Sequence, residues 1–331
     1  MNPNKLPHGI AEGCLVGYLN TTTHCTIDLE GYRHFYGEIM KMKFDGPIDI
    51  SAERKKEMKA FWRIDQDIDF DLYHSYRESV PSLINLRILH LKQETPSIHH
   101  SYNSYELGSF SLGFPTTDAH GFHQRMKDYN VQQMAPMQVG DIVRADGKPG
   151  QYIETIYQGP DYLHCVGIER VNYLPLAPCD PVDGFGGPGY SALVVGDAEA
   201  EIRFYTEVFD HYTQLDAVWQ TAEGSALGTG SGVPYRFTSF YAQSAEQNHI
   251  IMLEFQDGNA IDTGVKSRPP NQGLGMYSFY TSNLNEVVKR AEVMNIRMLS
   301  EPKYVDDEIL GSGEAALFEA PSGIYIEVKQ M

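Results

Sequence analysis

Four short, largely apolar runs of the sequence each carry a His or a Glu at a corresponding position. The runs are LRILHLKQ, GQYIETIYQ, HIIMLEFQ and IYIEVKQM, and the residues at that position are His90, Glu154, Glu254 and Glu327. Apolar and polar residues alternate in this way along a β-strand that has one polar face. A carboxylate on a covered face must be paired, hydrogen-bonded or partly protonated, because burying a bare charge is costly. The four residues are therefore candidates for general acid–base chemistry near neutral pH.

Other patterns that could carry chemistry are weaker. His120 and His123 are three residues apart on a predicted helix and could clip a metal ion, but no carboxylate accompanies them at a ligand spacing, which is more typical of a surface pair. The four cysteines form no C-x-x-C pair. The segment GTGSGVP lacks the Lys and Ser/Thr of a phosphate loop, and no serine stands in a G-x-S-x-G elbow. The sequence gives no nucleotide or hydrolase signature.

Composition narrows the class of protein. The chain has 331 residues and a net charge of −18, so it is long enough for about two domains at roughly 150 residues each. The negative charge repels phosphate backbones and anionic lipids, which argues against nucleic acid and membranes as partners. The N-terminus has no signal-peptide core, and no run of about 18 apolar residues occurs. We expect a cytoplasmic protein with reduced cysteines.

Internal similarity predicts the architecture. Asp28, Phe35, Tyr36 and Glu38 recur 169 positions later as Asp197, Phe204, Tyr205 and Glu207. A weaker similarity at an offset of 165 matches Arg125 with Arg290, Asn130 with Asn295 and Val131 with Ile296. Each copy reads as a strand, an Asp or Asn that caps a helix, and further strands. The sequence thus predicts four modules of one kind.

The four modules suggest a division of the chain into two halves. We predict an N-terminal domain at 1–172, a Pro/Gly-rich linker at 173–188 and a C-terminal domain at 189–331. The first module carries an insertion near 48–80 that is rich in aromatic and acidic residues, which indicates an ordered segment. This insertion is predicted to be either a lid or a helix packed on the outside of the barrel.

Two features of the sequence resemble the vicinal oxygen chelate superfamily of glyoxalases, bleomycin resistance proteins and extradiol dioxygenases. They are the strand, Asp and Phe-Tyr helix of the odd modules and the module endings GKPGQYIETIYQ and APSGIYIEVKQM. The resemblance implies an α+β fold in which four βαβββ modules pair into two cup-shaped half-barrel domains. In that superfamily a metal ion is held inside the cup by residues of the first and last strands. The first-strand ligand is usually a histidine seven residues before the Asp.

The resemblance implies that these histidine ligands are missing here. The corresponding positions hold Thr21, Ser111, Tyr190 and Met276. If the modules pair in chain order, one cup contains Thr21, Ser111, His90 and Glu154, and the other contains Tyr190, Met276, Glu254 and Glu327. The first set offers a His–carboxylate pair, and the second a phenol beside two carboxylates, one of which would hold a proton. We therefore expect no cofactor, with a divalent metal held by oxygen ligands as an open alternative.

Three functions follow from this resemblance. The first is a metal-independent lyase or isomerase that acts by general acid–base catalysis on a hydrophobic, aromatic small molecule. Its catalytic residues would be His90, Glu154, Tyr190, Glu254 and Glu327. The alternatives are an extradiol-type ring-cleaving dioxygenase and a non-catalytic small-molecule binding protein. One chain can complete both cups, so a homo-oligomer is compatible with all three functions but not required by them.

Overall fold

The computed structural model describes residue 10 and residues 13–81, 83–143, 148–223, 225, 227–243, 245 and 247–331. The order strand, helix and three strands occurs four times along the chain. Module 1 contains β1 (Thr21–Thr26), α1 (Leu29–Tyr32, continued as a π-helix over Arg33–Ile39), β2 (Lys43–Ile48), the inserted helix α2 (Ala52–Trp62), β3 (Phe70–Tyr76) and β4 (Asn85–Leu91). Module 2 contains β5 (Gly108–Thr116), α3 (Ala119–Asp128), β6 (Gln138–Val143), β7 (Pro149–Gln158), a 3-10 turn (Pro160–Tyr162) and β8 (His164–Arg170).

The second half repeats this order. Module 3 contains β9 (Tyr190–Val194), α4 (Ala198–Arg203, continued as a π-helix over Phe204–Val208), β10 (Tyr212–Gln220), β11 (Pro234–Tyr241) and β12 (His249–Phe255). Module 4 contains β13 (Gly273–Thr281), α5 (Leu284–Val293), β14 (Arg297–Asp307), β15 (Gly311–Glu319) and β16 (Tyr325–Gln330). The predicted α+β architecture of four βαβββ modules is confirmed.

The helix after each first strand begins at the residue that the repeats indicated. The side chains of Asp28, Asp118, Asp197 and Asn283 each accept a hydrogen bond from the backbone N–H three residues later, at 2.8–3.1 Å. Each of these bonds satisfies one of the free N–H groups at a helix start. The predicted N-cap role is confirmed in all four modules.

The strands form two eight-stranded sheets, and these sheets do not follow chain order. The first sheet has the order β14-β15-β16-β13-β1-β4-β3-β2, and the second has the order β10-β11-β12-β9-β5-β8-β7-β6. The first strands join the modules, because β1 pairs antiparallel with β13 and β5 pairs antiparallel with β9. Module 1 therefore pairs with module 4, and module 2 with module 3. Pairing in chain order is wrong, and the proposed boundary at 173–188 separates sequence segments whose strands share both sheets.

We call the concave faces of the two sheets the 1/4 cup and the 2/3 cup. The opposite faces meet the helices in one central core, which includes Tyr32, Phe114, Phe204 and Tyr277. Strand residues therefore alternate between this core and a cup. Many strands are covered on both faces, and β1, β5, β9 and β13 are buried along their whole length.

The insertion of module 1 packs into the 1/4 cup. Phe61 and Trp62 at the end of α2 are fully buried, in one cluster with Leu89 of β4 and Leu317 of β15. The Ser300 hydroxyl of β14 donates a hydrogen bond to the Phe61 carbonyl at 2.7 Å. Of the two expectations for the insertion, packing on the outside is wrong, because α2 covers the concave face. Among the described helices, none is long and apolar enough to cross a membrane.

Candidate active site

The closed 1/4 cup contains a buried network of charges around Arg87 of β4. Its guanidinium donates hydrogen bonds to Asp307 at 2.5 Å, to the Ser278 hydroxyl at 2.7 Å and to Glu327. The side chains of Arg87, Asp307 and Glu327 have no solvent exposure. The Trp62 ring covers the guanidinium, with 4.6 Å between the Arg87 Cζ and the ring centroid. Glu327 therefore faces the cup as predicted, but an arginine holds it.

The electrostatics of this network favour the paired state. Burial acts to raise the pKa of Asp307, but the positive charge of Arg87 and two backbone N–H groups hold that pKa below its ordinary value. A metal ion bound by Glu327 and Asp307 would lie against the Arg87 cation. The donors of the 1/4 cup therefore do not fit a metal ion.

The strand register identifies the equivalents of Glu327 in the other modules. Glu327 lies opposite Ser278, five residues before the helix cap Asn283. The same offset gives Arg87 in module 1, Val166 in module 2 and Ile251 in module 3. Only one of the four equivalent positions carries a carboxylate. In the 2/3 cup both positions are apolar.

Glu254 and His90 lie on the opposite face of their strands. Leu253 and Phe255 point into the 2/3 cup, so Glu254 points toward the helices, where it accepts a hydrogen bond from the Ala198 N–H at 2.9 Å. Glu169 and Gln330 receive equivalent bonds from the first turns of α3 and α5, at 2.7 and 2.6 Å. Glu254 is thus a helix-capping residue, and the expectation that it faces a cup is wrong.

His90 occupies in module 1 the position that Glu254 occupies in module 3. It lies opposite Thr26, two residues before the helix cap, and its neighbours Leu89 and Leu91 face the 1/4 cup. The His90 ring lies 6.3 Å from the ring of Tyr73, which packs against the central core. The expectation that His90 faces a cup is therefore also wrong. The predicted His–carboxylate pair with Glu154 does not form.

Glu154 lies on β7, the third strand of module 2, and not on the last strand, where the module ending GKPGQYIETIYQ had placed it. It nevertheless faces the 2/3 cup, because Ile156 on the same side belongs to a cup cluster with Tyr190, whereas Tyr157 on the other side packs in the central core. Glu154 is half-buried. The structure thus brings together Glu154 and Tyr190, which chain-order pairing placed in different cups.

The surroundings of Glu154 are apolar and phenolic. Burial raises its pKa to about 7, so the carboxyl exchanges its proton near neutral pH. Three tyrosines lie close enough for its charge to raise their pKa values further, in addition to the effect of burial: Tyr152, Tyr190 and Tyr235. These phenols remain protonated at neutral pH and are available as hydrogen-bond donors.

Tyr190 is held in place by close packing. A Cβ atom on Gly113 would lie 1.8 Å from the Tyr190 ring, so only glycine fits beneath it. His249 lies between Tyr190 and Tyr241, with ring centroids 5.2 and 4.3 Å away. Burial lowers the pKa of His249 to about 3, so the imidazole is neutral. Sequence reasoning missed His249 and Tyr241. His249 lies opposite Tyr190 in the strand register, and the alternation along HIIMLEFQ puts it on the same face as Ile251 and Leu253.

The remaining wall of the 2/3 cup is aromatic and accessible. Trp219 of β10 stacks on Phe237 at 4.7 Å and meets Tyr235 edge-on at 6.2 Å. Trp219 is 40% exposed, and β10 is largely exposed along its length. No inserted helix covers this cup among the elements described. The 2/3 cup is therefore the open one, and the carboxyl group of Glu154 faces it from β7.

The 2/3 cup does not supply the usual ligands of a redox iron. Such a site needs two imidazoles and a carboxylate around open positions, whereas the equivalents of Glu327 here are Val166 and Ile251. Within the described residues, no group of three or more His, Cys, Asp and Glu side chains is arranged to hold a metal ion. These residues do not fit the metal ion that the resemblance implies.

A surface cleft of about 430 Å³ lies outside both cups, beside the end of β3 and the linker. Its charged groups are paired with one another: Arg77 donates to both carboxylate oxygens of Asp183 at 2.7 Å, and Lys41 lies 3.2 Å from the same carboxylate. Because these charged groups are paired with one another, the cleft offers none of them for general acid–base chemistry. We therefore place the candidate active site in the 2/3 cup.

Comparison with known proteins supports the fold. No family model and no curated protein sequence matches the chain. Among solved structures, a mutant of glyoxalase I from Zea mays superposes with a TM-score of 0.61 at 13% identity, over 95% of this chain and 92% of that one. Unmutated glyoxalase I from Zea mays gives a TM-score of 0.58 at 12% identity, over 95% and 92% of the two chains.

A protein from Bacillus subtilis, assigned as a dioxygenase, gives a TM-score of 0.53 at 10% identity, over 95% of this chain and 84% of that one. At these identities the likeness concerns the fold and not the reaction. Both similarities extend over nearly the whole chain and agree with the two curled sheets and four modules. The chain therefore shares the four-module fold of these glyoxalase I and dioxygenase structures.

Proposed function

We propose that this protein is an enzyme that moves a proton on a hydrophobic, aromatic small molecule, as a lyase or isomerase, without a metal cofactor. The observation that carries the proposal is Glu154, a half-buried carboxyl in an open aromatic cup whose pKa burial raises to about 7. A general acid–base is most effective when its pKa is near the working pH. Groups with such shifted pKa values concentrate at functional sites.

The geometry supports a simple division of roles. The Glu154 carboxylate removes a proton from a carbon next to a carbonyl group of the bound substrate, and the electron pair moves to the carbonyl oxygen. The Tyr190 phenol, whose pKa is raised by burial, donates a hydrogen bond to the developing oxyanion. Protonated Glu154 then returns the proton to another atom of the substrate, which completes an isomerisation, or to a leaving group, which completes an elimination.

The two alternatives differ from this proposal in what they require. A ring-cleaving dioxygenase needs metal ligands that the 2/3 cup does not supply at Val166 and Ile251. A binding protein needs only the aromatic wall formed by Trp219, Tyr235 and Phe237, and gives no reason for a carboxyl among the phenols. Glu154 therefore favours the enzyme over the binding protein.

The test is proton exchange on substrate analogues. Purified protein is incubated in D₂O with a set of small aromatic ketones, and replacement of the C–H next to the carbonyl by C–D is followed by NMR. We expect Glu154→Gln to slow the exchange by about 100-fold or more. The wild-type rate should rise with pH and level off above about 7, because the ionised carboxylate is the base.

Glu254→Gln is the matched control. It makes the same chemical change on the other face of the sheet, and a glutamine can still cap α4, as Gln330 caps α5. This variant should exchange at the wild-type rate. An unchanged rate in Glu154→Gln, or equal losses in both variants, would contradict the proposal. Binding of the ketones without exchange would favour the binding protein, and stoichiometric iron with ring opening of a catechol would favour the dioxygenase.

A further inference from the structure

A positively charged side chain faces the same cup. Arg170 is the last residue of β8, and it lies opposite Tyr152 of β7 in the strand register. Ile168 and Val166, two and four residues earlier, belong to the apolar cluster of the 2/3 cup. Alternation along the strand therefore directs Arg170 to the concave face. It is half-buried, at one end of the cup.

Arg170 has no carboxylate partner among the residues that the structure describes. Its guanidinium lies over the Tyr173 ring, with 5.1 Å between Cζ and the centroid. Its charge acts on Tyr241 and His249, which stack on each other at 4.3 Å. Arginines elsewhere in the chain bind carboxylates directly: Arg87 binds Asp307, and Arg236 binds Asp216 at 2.7 Å. Arg170 instead contacts the Tyr173 ring and donates a hydrogen bond to the Tyr241 hydroxyl, and the other N–H donors of its guanidinium can serve a ligand.

Glu154 does not neutralise Arg170. Glu154 lies opposite Ile168, which is two residues before Arg170 on β8. A cation in contact with Glu154 would hold its pKa low, whereas burial raises that pKa to about 7. The cup thus presents a cation and a titratable carboxyl as separate groups on neighbouring strands. A ligand with one anionic group and one exchangeable proton can meet both.

We propose that Arg170 binds a carboxylate group of the substrate, and that the substrate of the 2/3 cup is an aromatic carboxylate whose ring lies against Trp219 and Phe237. A planar guanidinium matches a carboxylate through paired hydrogen bonds. A single negative charge fits better than a doubly charged phosphate, because Glu154 adds negative charge above its pKa. This substrate assignment rests on the proposed function and makes it more specific. Binding of the substrate can nevertheless be measured separately from proton transfer.

The experiment compares two probes of nearly the same shape, benzoate and benzamide, by calorimetric titration. Benzoate should bind the wild-type protein about tenfold more tightly than benzamide. Arg170→Met should abolish this preference, and Arg170→Gln should do the same without adding an apolar side chain. Arg236→Met is the matched control, because Arg236 pairs with Asp216 and Glu199 away from the cup. This control and Glu154→Gln should both keep the preference.

Two results would overturn the proposal: equal affinity of the wild-type protein for benzoate and benzamide, or a preference that survives in both Arg170 variants. Loss of the preference in Arg236→Met would show a general charge effect and would also overturn it. Failure of the proposed function has a different signature. In that case Glu154→Gln leaves proton exchange unchanged, while the dependence of benzoate binding on Arg170 persists.

Discussion

The carboxyl groups that face the two cups have opposite electrostatic roles. In the 1/4 cup the carboxylates of Glu327 and Asp307 are both bound to the buried Arg87, whose positive charge stabilises their charged forms. In the 2/3 cup no cation among the described residues is bound to the carboxyl of Glu154, and burial raises its pKa to about 7. A compensated network stabilises a geometry, whereas an uncompensated titratable group is available for chemistry.

The stability of the 1/4 cup should depend on Arg87. We expect Arg87→Met to lower the free energy of unfolding by about 3–5 kcal/mol, because it leaves two buried carboxylates without a partner. The double variant Arg87→Met with Glu327→Gln should recover part of that loss, because it removes one of the uncompensated charges. Urea denaturation at pH 7 measures both effects. A single variant as stable as wild type would show that the network contributes little.

For single residues, the sequence identified candidate side chains but not the face of the strand on which each one lies. Alternation along LRILHLKQ and HIIMLEFQ predicts two faces, yet both faces of these strands are covered, one by the central core and one by a cup. Leu86 and Ile88 pack in the core, whereas Leu89 and Leu91 pack in the cup. The apolar neighbours of His90 therefore carried no information about which face is the concave one. Arg87, three residues earlier on β4, was the inward residue.

Among the elements, helix α2 explains why the 1/4 cup is closed and the 2/3 cup is open. It places Phe61 and Trp62 on the concave face of the first sheet, where both are fully buried. Arg54 at its other end forms ion pairs with Asp306 and Glu308, at 3.0 and 2.5 Å. The second sheet carries no equivalent helix among the described residues, so its Trp219 remains at the surface. One tryptophan therefore seals a cup, and the other is available to a ligand.

The two tryptophans should respond differently to truncation. Trp62→Ala leaves a large void beside Arg87, so we expect a loss of about 3–5 kcal/mol in the free energy of unfolding. Trp219→Ala removes a partly exposed side chain and should cost about 1 kcal/mol or less, while weakening the binding of benzoate and benzamide alike. Urea denaturation and calorimetric titration separate the two effects. A Trp62→Ala protein of wild-type stability would show that α2 does not seal the cup.

The elements themselves were predicted unevenly from the sequence. The helix caps were located correctly, because Asp and Asn occur at regular offsets and have a direct structural role. The strand of Glu154 was misassigned, because the last strand of module 2 is HCVGIER, whose signal is interrupted by Gly167. A Cβ atom there would lie 2.6 Å from the Phe122 ring, so packing of α3 requires the glycine. Glycine inside a strand weakens the pattern that identifies it.

At the scale of the whole molecule, the fold interlaces the two halves of the sequence. The pairs β1/β13 and β5/β9 both join a strand before the linker to a strand after it. The offsets of 169 and 165 showed which modules are alike, but similarity between modules does not specify which edges pair. The sequence could therefore predict four modules and two cups without predicting the partner of each module. This interlacing makes the linker a connection and not a hinge between independent halves.

Cleavage of the linker tests this arrangement. A protease site inserted after Leu174, a residue that is 78% exposed, allows the folded chain to be cut between module 2 and module 3. Because both sheets and the central core span the cut, we expect the two fragments to remain associated and to elute from a sizing column at the volume of the intact chain. They should separate only in denaturant. If the cut protein instead elutes as two folded fragments, each half completes its own sheet, and modules 1 and 2 are paired after all.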